Sequence, residues 1–165
     1  MFTTNFHLMA LLLSDTYKHS HNRMYPKSLK KLTSYWVPRK SMFQNEENQK
    51  MVWFGMQAFV QEWLIEYFQA NFFDLPLNKI IKEYKYVMNI QLGEGNYDIE
   101  PIEKLHALGY LPIEIKALPE GSLVNMGVPC IEITNTHEDF AWFVQWIECI
   151  LQAELWKISN HATIG

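Results

Sequence analysis

The chain has 165 residues, which is enough for one domain with a hydrophobic core of its own. Hydrophobic residues make up 48% of it and charged residues only 19%, a balance that excludes a disordered chain. The net charge is -4 and no segment carries a basic stripe, so the sequence gives no support to nucleic-acid binding.

The first apolar run, Leu8 to Leu13, is too short to span a bilayer and lacks the basic start and small-residue cleavage site of a signal peptide. We expect a buried strand or short helix here, and no association with a membrane. Cys130 and Cys149 are isolated and lack CxxC spacing, which favours reduced thiols over a disulfide scaffold or a zinc site, although one pairing stays open. Together these features predict a cytoplasmic protein.

A dense run of titratable and aromatic side chains follows directly, SDTYKHSHNRMYP over Ser14 to Pro26. The residues alone leave two interpretations open, a polar turn after a buried segment or part of a binding site, and the polar turn is the more common of the two. His19 and His21 could also ligate a metal ion. No third ligand lies near them in sequence, so ordinary loop residues are favoured over a metal site.

The next segments predict one strand and then two helices. The strand covers Leu32 to Val37 and ends at Pro38, which has no N–H for a ladder. The apolar stretch from Met51 to Ala70 is long enough to favour a helix, and its apolar residues occur nearly all round, so we expect it to be buried on most sides. A second helix follows Asp74, which we expect to cap it, with Pro76 in the first turn.

The last part of the chain predicts a short helix, two strands and a long helix. The short helix begins at Pro101 and ends before Gly109. Alternating apolar and polar residues predict paired strands over Leu111 to Leu118 and Val128 to Thr134. A capping-box pattern over Thr136 to Asp139 is expected to open the long helix. Because strands and helices do not alternate regularly, the fold class predicted is α+β with mixed helices and short antiparallel strands, not a doubly wound sheet.

No catalytic signature stands out from the residues alone. The sequence contains no GxSxG, HExxH or phosphate-binding P-loop motif. We therefore name no catalytic residue and no metal ligand in this chain.

Three stretches resemble the nicotinamide phosphoribosyltransferase family, in its order and spacing: LLLSDTYKHSHNRMYP, LPIEIKALPEG and NTHEDFAWFVQWIECILQAELW. Relatives that act on nicotinate share the Asp-x-Tyr-Lys start, whereas LPIEIKALPEG favours the nicotinamide branch. The resemblance implies the N-terminal domain of a type II phosphoribosyltransferase over residues 1–157. It also implies that residues 158–165 enter an α/β barrel, most of which, with its diphosphate-binding and catalytic residues, is missing from this chain.

The resemblance also implies site residues, which bind substrate rather than catalyse. Tyr17 matches a tyrosine that reaches across a homodimer to stack on the nicotinamide ring, and Asp15 matches an acid near the carboxamide. Arg39 matches an arginine near the phosphate-binding region, and Lys18 is a weaker candidate for the same role. The implied reaction joins nicotinamide and phosphoribosyl pyrophosphate to give nicotinamide mononucleotide and pyrophosphate in NAD salvage, with Mg²⁺ accompanying the pyrophosphate through the barrel.

Two other functions remain open from the sequence. The same fold could serve a nicotinate phosphoribosyltransferase. Alternatively, the chain could be a non-catalytic module that dimerises with a full-length enzyme or with a barrel-bearing chain. In every case we expect the isolated 165-residue chain to be inactive.

Overall fold

The fold was analysed in a computed structural model that describes residues 10–41 and 49–164. Leu8 and Met9 of the predicted first segment lie outside these ranges. The described part of that segment is a short 3-10 helix over Ala10–Leu12, with Leu11 fully buried. Of the two alternatives predicted for this segment, the short helix is therefore the one found.

The described residues form an α+β fold, as predicted. The strands are β1 (Thr33–Trp36), β2 (Lys50–Val52), β3 (Ile113–Ala117), β4 (Leu123–Asn125) and β5 (Ile131–Asn135). The α-helices are α1 (Lys18–His21), α2 (Met56–Phe59), α3 (Leu77–Gln91), α4 (Glu100–Leu108), α5 (Phe143–Trp146) and α6 (Glu148–Ile164). Over the same ranges, no helix combines the length and the apolar character that crossing a bilayer requires.

The strands form two small antiparallel sheets. One has the order β1-β5-β3, and the other pairs β2 with β4. The predicted pairing of the two alternating strands is confirmed, since β3 runs antiparallel to β5 with Lys116 opposite Glu132. Lys116 also lies within ion-pair distance of Glu132 and of Glu114, at 3.6 and 3.5 Å. The polar face of this pair is therefore lined by charges of alternating sign.

The long apolar stretch was predicted as one helix, and this was wrong at its start. Its first residues form β2, and Gly55, with φ of +101°, turns the chain before α2 begins. After α2 the helix continues with π-type hydrogen bonding over Val60–Tyr67 and Gln69–Phe73.

The expectation that this helix is buried on most sides is also wrong. Its buried side chains recur every four or five positions, at Phe59, Leu64, Phe68 and Phe72, while Ile65 is half exposed. This spacing follows the wide turn of a π-helix, which brings one stripe of residues to the core.

Two predicted helix caps are replaced by other contacts. Asp74 accepts a hydrogen bond from Gln69 Nε2 at 2.6 Å instead of capping α3, whose N-cap position is held by Pro76. The capping box after Thr136 is absent as well. The ring Nδ1 of His137 accepts from Asp139 N–H at 3.2 Å, and this contact opens a short 3-10 helix.

One core joins the sheets and the helices, and it accounts for much of the high aromatic content. Its largest fully buried side chains are those of Trp53 just after β2, Tyr84 on α3, Phe143 on α5, and Phe59, Phe68 and Phe72 on the long helix that begins with α2. The Trp36 and Trp53 rings lie 5.4 Å apart, and Phe68 meets Phe143 edge to face at 5.9 Å. The second contact packs α5 against the long helix that begins with α2.

Candidate functional site

The turn that precedes and includes α1 divides its side chains between solvent and core. Its backbone is closed by hydrogen bonds from Lys18 N–H to the Asp15 carbonyl at 3.0 Å and from His19 N–H to the Thr16 carbonyl at 3.2 Å. Asp15 is exposed and the Tyr17 side chain is 51% exposed, whereas Lys18 and His19 are buried. The turn therefore exposes Asp15 and Tyr17 to solvent. It packs against the rest of the protein through Lys18 and His19.

Lys18 is anchored to the segment that joins α5 and α6. Its Nζ donates to the Gln145 carbonyl at 2.8 Å and to the carboxylate of Glu148. Burial opposes the charge on this amine, but the hydrogen bond and the charge of Glu148 outweigh burial, so the pKa of Lys18 is raised. Lys18 is therefore a cation at neutral pH, with its charge directed at a carboxylate of the same chain.

His19 is a second anchor. Its Nδ1 lies 2.9 Å from the hydroxyl of Tyr84 on α3, and its ring packs edge to face on Trp146 with centroids 4.3 Å apart. Burial lowers the pKa of His19 to about 4, so its imidazole is neutral at physiological pH. The sequence predicted either a loop histidine or, less favourably, a metal ligand at this position. His19 is instead a buried hydrogen-bonding partner of Tyr84.

The residues before α1 are fixed by the same α5–α6 segment. Ser14 Oγ donates to the Trp146 carbonyl at 3.0 Å, and Asp15 N–H donates to Cys149 Sγ at 3.2 Å. The Tyr25 hydroxyl donates to Gln145 Oε1 at 2.5 Å. Both ends of the turn are thus tied to one short stretch of helix more than a hundred residues further along the chain.

Tyr17 is half exposed and has two described neighbours. Its ring lies 4.9 Å from that of His21, tilted by 60°, and the Lys18 ammonium lies 5.5 Å from its centroid. The cation supplies a weak attraction that restricts the ring without covering it. A ring held in this way suits stacking on a planar ligand.

Arg39 lies apart from this cluster. It is exposed, three residues after the end of β1. Within residues 10–41 and 49–164, no hydrogen bond, ion pair or ring contact joins it to Asp15, Tyr17 or Lys18. The structure thus brings three of the four predicted site residues together in one turn and leaves the fourth separate.

Sequence reasoning missed the residues that support the turn. Gln145 and Glu148 fell only within the predicted long helix, Cys149 was interpreted only as a reduced thiol, and Tyr84 fell only within the second predicted helix. The spacing of three between Gln145 and Glu148 puts both on one side of a helix, but nothing in the sequence shows that a distant lysine meets them.

The side chains that could bind a metal ion are dispersed over the described residues. In the two described ranges, no cluster of three or more His, Cys, Asp or Glu side chains could hold a metal ion. Cys130 and Cys149 are free thiols. Burial raises the pKa of both thiols, that of Cys130 to about 11, so both are protonated at neutral pH.

Comparison with known proteins agrees with the resemblance noted from the sequence. Residues 9–71 match the family "Nicotinamide phosphoribosyltransferase, N-terminal domain". The chain is 44% identical over 164 residues to a nicotinamide phosphoribosyltransferase of Acinetobacter baylyi, an alignment that covers 98% of this chain and 32% of that protein. The chain thus spans about a third of the length of this relative.

The fold has a counterpart among solved structures. The human nicotinic acid phosphoribosyltransferase matches with a TM-score of 0.56 and 19% identity, over 86% of this chain and 25% of that one. At this identity the match concerns the fold alone, and it agrees with the α+β arrangement predicted. The sequence match is the more specific one: the chain is similar to a nicotinamide phosphoribosyltransferase over nearly its whole length, and residues 9–71 match the N-terminal domain of that family.

Proposed function

We propose that this chain is the N-terminal part of a nicotinamide phosphoribosyltransferase that acts in NAD biosynthesis. The observation that carries the proposal is the 44% identity to a protein of that name, which extends over 98% of the chain. In the reaction, the pyridine nitrogen of nicotinamide forms a bond to the anomeric carbon of phosphoribosyl pyrophosphate. The bond from that carbon to pyrophosphate breaks, which gives nicotinamide mononucleotide and pyrophosphate.

Tyr17 is the proposed ring-stacking residue. Its side chain is half exposed on a turn whose other residues are anchored, so the ring is available and oriented. An aromatic face packs on the pyridine ring, and its quadrupole favours the cationic pyridinium of the product.

Asp15 is the proposed carboxamide contact. Asp15 is an exposed residue next to Thr16 and Tyr17, and its backbone N–H donates to Cys149, so the backbone that carries its carboxylate is anchored. A carboxylate accepts an amide N–H of nicotinamide and repels the carboxylate of nicotinate. This contact would give the enzyme its preference between the two substrates.

Phosphate binding is assigned to Arg39. It is exposed, and its guanidinium fork matches phosphate oxygens. The described residues offer no cluster of ligands for Mg²⁺. We therefore assign this ion to the pyrophosphate of the substrate.

The proposal extends to assembly and location. We infer a cytoplasmic enzyme in which the turn of one subunit completes the nicotinamide site of another, either in a homodimer or with a barrel-bearing chain. The exposed ring of Tyr17 supports this, because an outward-facing aromatic side chain needs a second surface to enclose its ligand. Size-exclusion chromatography with light scattering on the complete protein should show a dimer. A monomer that retains full activity would overturn the shared site.

The test of the proposed function is a substrate competition with the complete protein that contains this chain. Nicotinamide and nicotinate are supplied together at equal concentration with phosphoribosyl pyrophosphate, and the mononucleotides are separated by mass. We expect nicotinamide mononucleotide as the main product. Nicotinate mononucleotide as the main product would support the alternative enzyme instead, and no mononucleotide at all would contradict both.

A further inference from the structure

The ion pair between Lys18 and Glu148 is the least expected feature of the turn. The Lys18 side chain is 3% exposed, whereas that of Glu148 is 50% exposed. A buried ammonium without partners is costly, so it requires acceptors at hydrogen-bond distance. Both acceptors described for it, the Gln145 carbonyl and the Glu148 carboxylate, lie on the α5–α6 segment.

This arrangement decides between two roles for Lys18. A phosphate ligand needs an ammonium that is free to reach substrate, but this one is buried against the α5–α6 segment and is neutralised by a carboxylate. An anchor needs burial, fixed partners and a connection to a distant element, and Lys18 has all three. The lysine that follows Tyr17 is therefore suited to hold the turn rather than to bind substrate.

The anchor is coupled to the proposed substrate contacts. Lys18 is adjacent to Tyr17 in the chain, and its ammonium lies 5.5 Å from the Tyr17 ring centroid. Glu148 fixes the ammonium from one side, and Cys149, the next residue, accepts from Asp15 N–H. A shift of the lysine would therefore move the aromatic ring directly, while the backbone of Asp15 is held separately.

We propose that Glu148 is a positioning residue for nicotinamide binding, which acts through Lys18 to fix the orientation of Tyr17. This rests on the proposed function, since it assigns Tyr17 to the nicotinamide ring. Glu148 touches no substrate itself. Its carboxylate sets the place of the Lys18 ammonium, and the ammonium in turn restricts the tyrosine ring.

The test compares Glu148→Gln with Glu154→Gln in the complete enzyme. Glu154 lies on the same helix and forms its own ion pair with Lys157 at 2.7 Å, so it controls for the loss of a charge and an ion pair from α6. We expect Glu148→Gln to raise the KM for nicotinamide about tenfold, as for a slightly misplaced binding group. The KM for phosphoribosyl pyrophosphate should be unchanged, and Glu154→Gln should behave as the wild type. An unchanged KM for nicotinamide in Glu148→Gln would overturn the proposal.

A double-mutant cycle with Tyr17→Ala separates positioning from general structural damage. If Glu148 acts through Tyr17, Glu148→Gln has almost no further effect on the KM for nicotinamide once the ring is gone. If the two effects multiply fully, Glu148 does not act through Tyr17 and the proposal fails.

Hydrogen exchange provides a readout that needs no substrate. We expect the amides of residues 14–19 to exchange several-fold faster in Glu148→Gln than in Glu154→Gln, because the anchor is weakened. Equal exchange in the two variants would overturn the anchoring even if the enzyme is active. Faster exchange in a protein that makes no mononucleotide would support the anchoring and reject the proposed function, so the two failures are distinguishable.

Discussion

His19 shows how burial alters a residue that the sequence presents as a polar loop histidine. Its ring lies between Tyr84 and Trp146 and is 5% exposed. Burial lowers its pKa to about 4 from an ordinary value of 6.5. Between these two pH values the unfolded chain binds a proton at His19 more readily than the folded chain does. The contribution of His19 to the free energy of unfolding is therefore fully present above about pH 6.5 and is lost as the pH falls towards 4.

We therefore expect the free energy of unfolding to drop by about 2 kcal/mol between pH 7 and pH 4.5 through His19 alone. His19→Gln keeps a polar partner for Tyr84 but cannot titrate in this range. Denaturant unfolding of both chains at the two pH values measures the difference. If both lose the same stability on acidification, His19 is not the group responsible.

Asp15 is predicted to control substrate choice. Asp15→Asn removes the negative charge and keeps the size of the side chain, so the repulsion of nicotinate disappears. We expect the ratio of kcat/KM for nicotinamide to that for nicotinate to fall about tenfold, a change of roughly 1.4 kcal/mol. An unchanged ratio would place substrate selection elsewhere in the enzyme.

The residue types alone did not identify the site residues. The exposed pair, Asp15 and Tyr17, was identified because the family motif names them, and their exposure agrees with a role at a surface. The inward direction of Lys18 was not predictable, because it depends on Glu148 lying 130 residues further along the chain. Long-range contacts of this kind leave no local pattern in a single sequence.

At the scale of elements, the joint between β2 and α2 depends on one glycine. Gly55 has φ of +101°, and a Cβ placed on it would lie 2.8 Å from Ile158 Cγ2 on α6. Gly121 also has a positive φ, of +83°, but a Cβ there would have no neighbour within 4 Å. Substitutions at these two glycines therefore distinguish the cost of backbone strain from the cost of steric overlap.

We expect Gly121→Ala to cost about 1 kcal/mol of stability, through the left-handed backbone alone. Gly55→Ala should cost about 2–4 kcal/mol, because overlap with Ile158 adds to the same strain. Thermal or denaturant unfolding of the two variants gives the comparison. Equal losses of stability in the two variants would show that α6 moves away from the added methyl group without cost. The close approach of Gly55 to Ile158 would then not fix the position of α6.

Predictions at this scale succeeded for segments with a long, clear period and failed for short or irregular ones. The helix predicted after Asp74 is found as α3, whose buried residues Ile80, Tyr84 and Met88 follow the helical repeat, and Gly109 ends α4 as predicted. The strands β2 and β4 have three residues each, too few to show alternation. The change to π-type hydrogen bonding in the long helix also has no recognised sequence signal, so the buried stripe was not predicted.

The last helix bears on how the chain divides into domains. We predicted a boundary between residues 157 and 158, but α6 runs through this point from Glu148 to Ile164. A boundary there would have to fall within one continuous helix. The division into residues 1–157 and 158–165 remains a proposal.

For the whole molecule, a further prediction concerns the activity of the isolated chain. The chain spans about a third of the length of its Acinetobacter baylyi relative, and its proposed residues bind substrate rather than promote the chemistry. We expect the isolated 165-residue chain to form no nicotinamide mononucleotide above background, under conditions in which the complete enzyme is active. Product formation by the isolated chain would require catalytic residues that the present account does not contain.

The most direct test of the account is the affinity of the complete enzyme for nicotinamide when Tyr17 is changed. Tyr17→Phe keeps the aromatic face and serves as the control, whereas Tyr17→Ala removes it. Calorimetric titration with nicotinamide should show affinity close to the wild type for Tyr17→Phe. For Tyr17→Ala it should show a loss of about 1–3 kcal/mol in binding free energy, the scale of stacking between an aromatic side chain and a planar ring. Wild-type affinity in Tyr17→Ala would contradict the central claim, that the N-terminal turn presents this ring to the substrate.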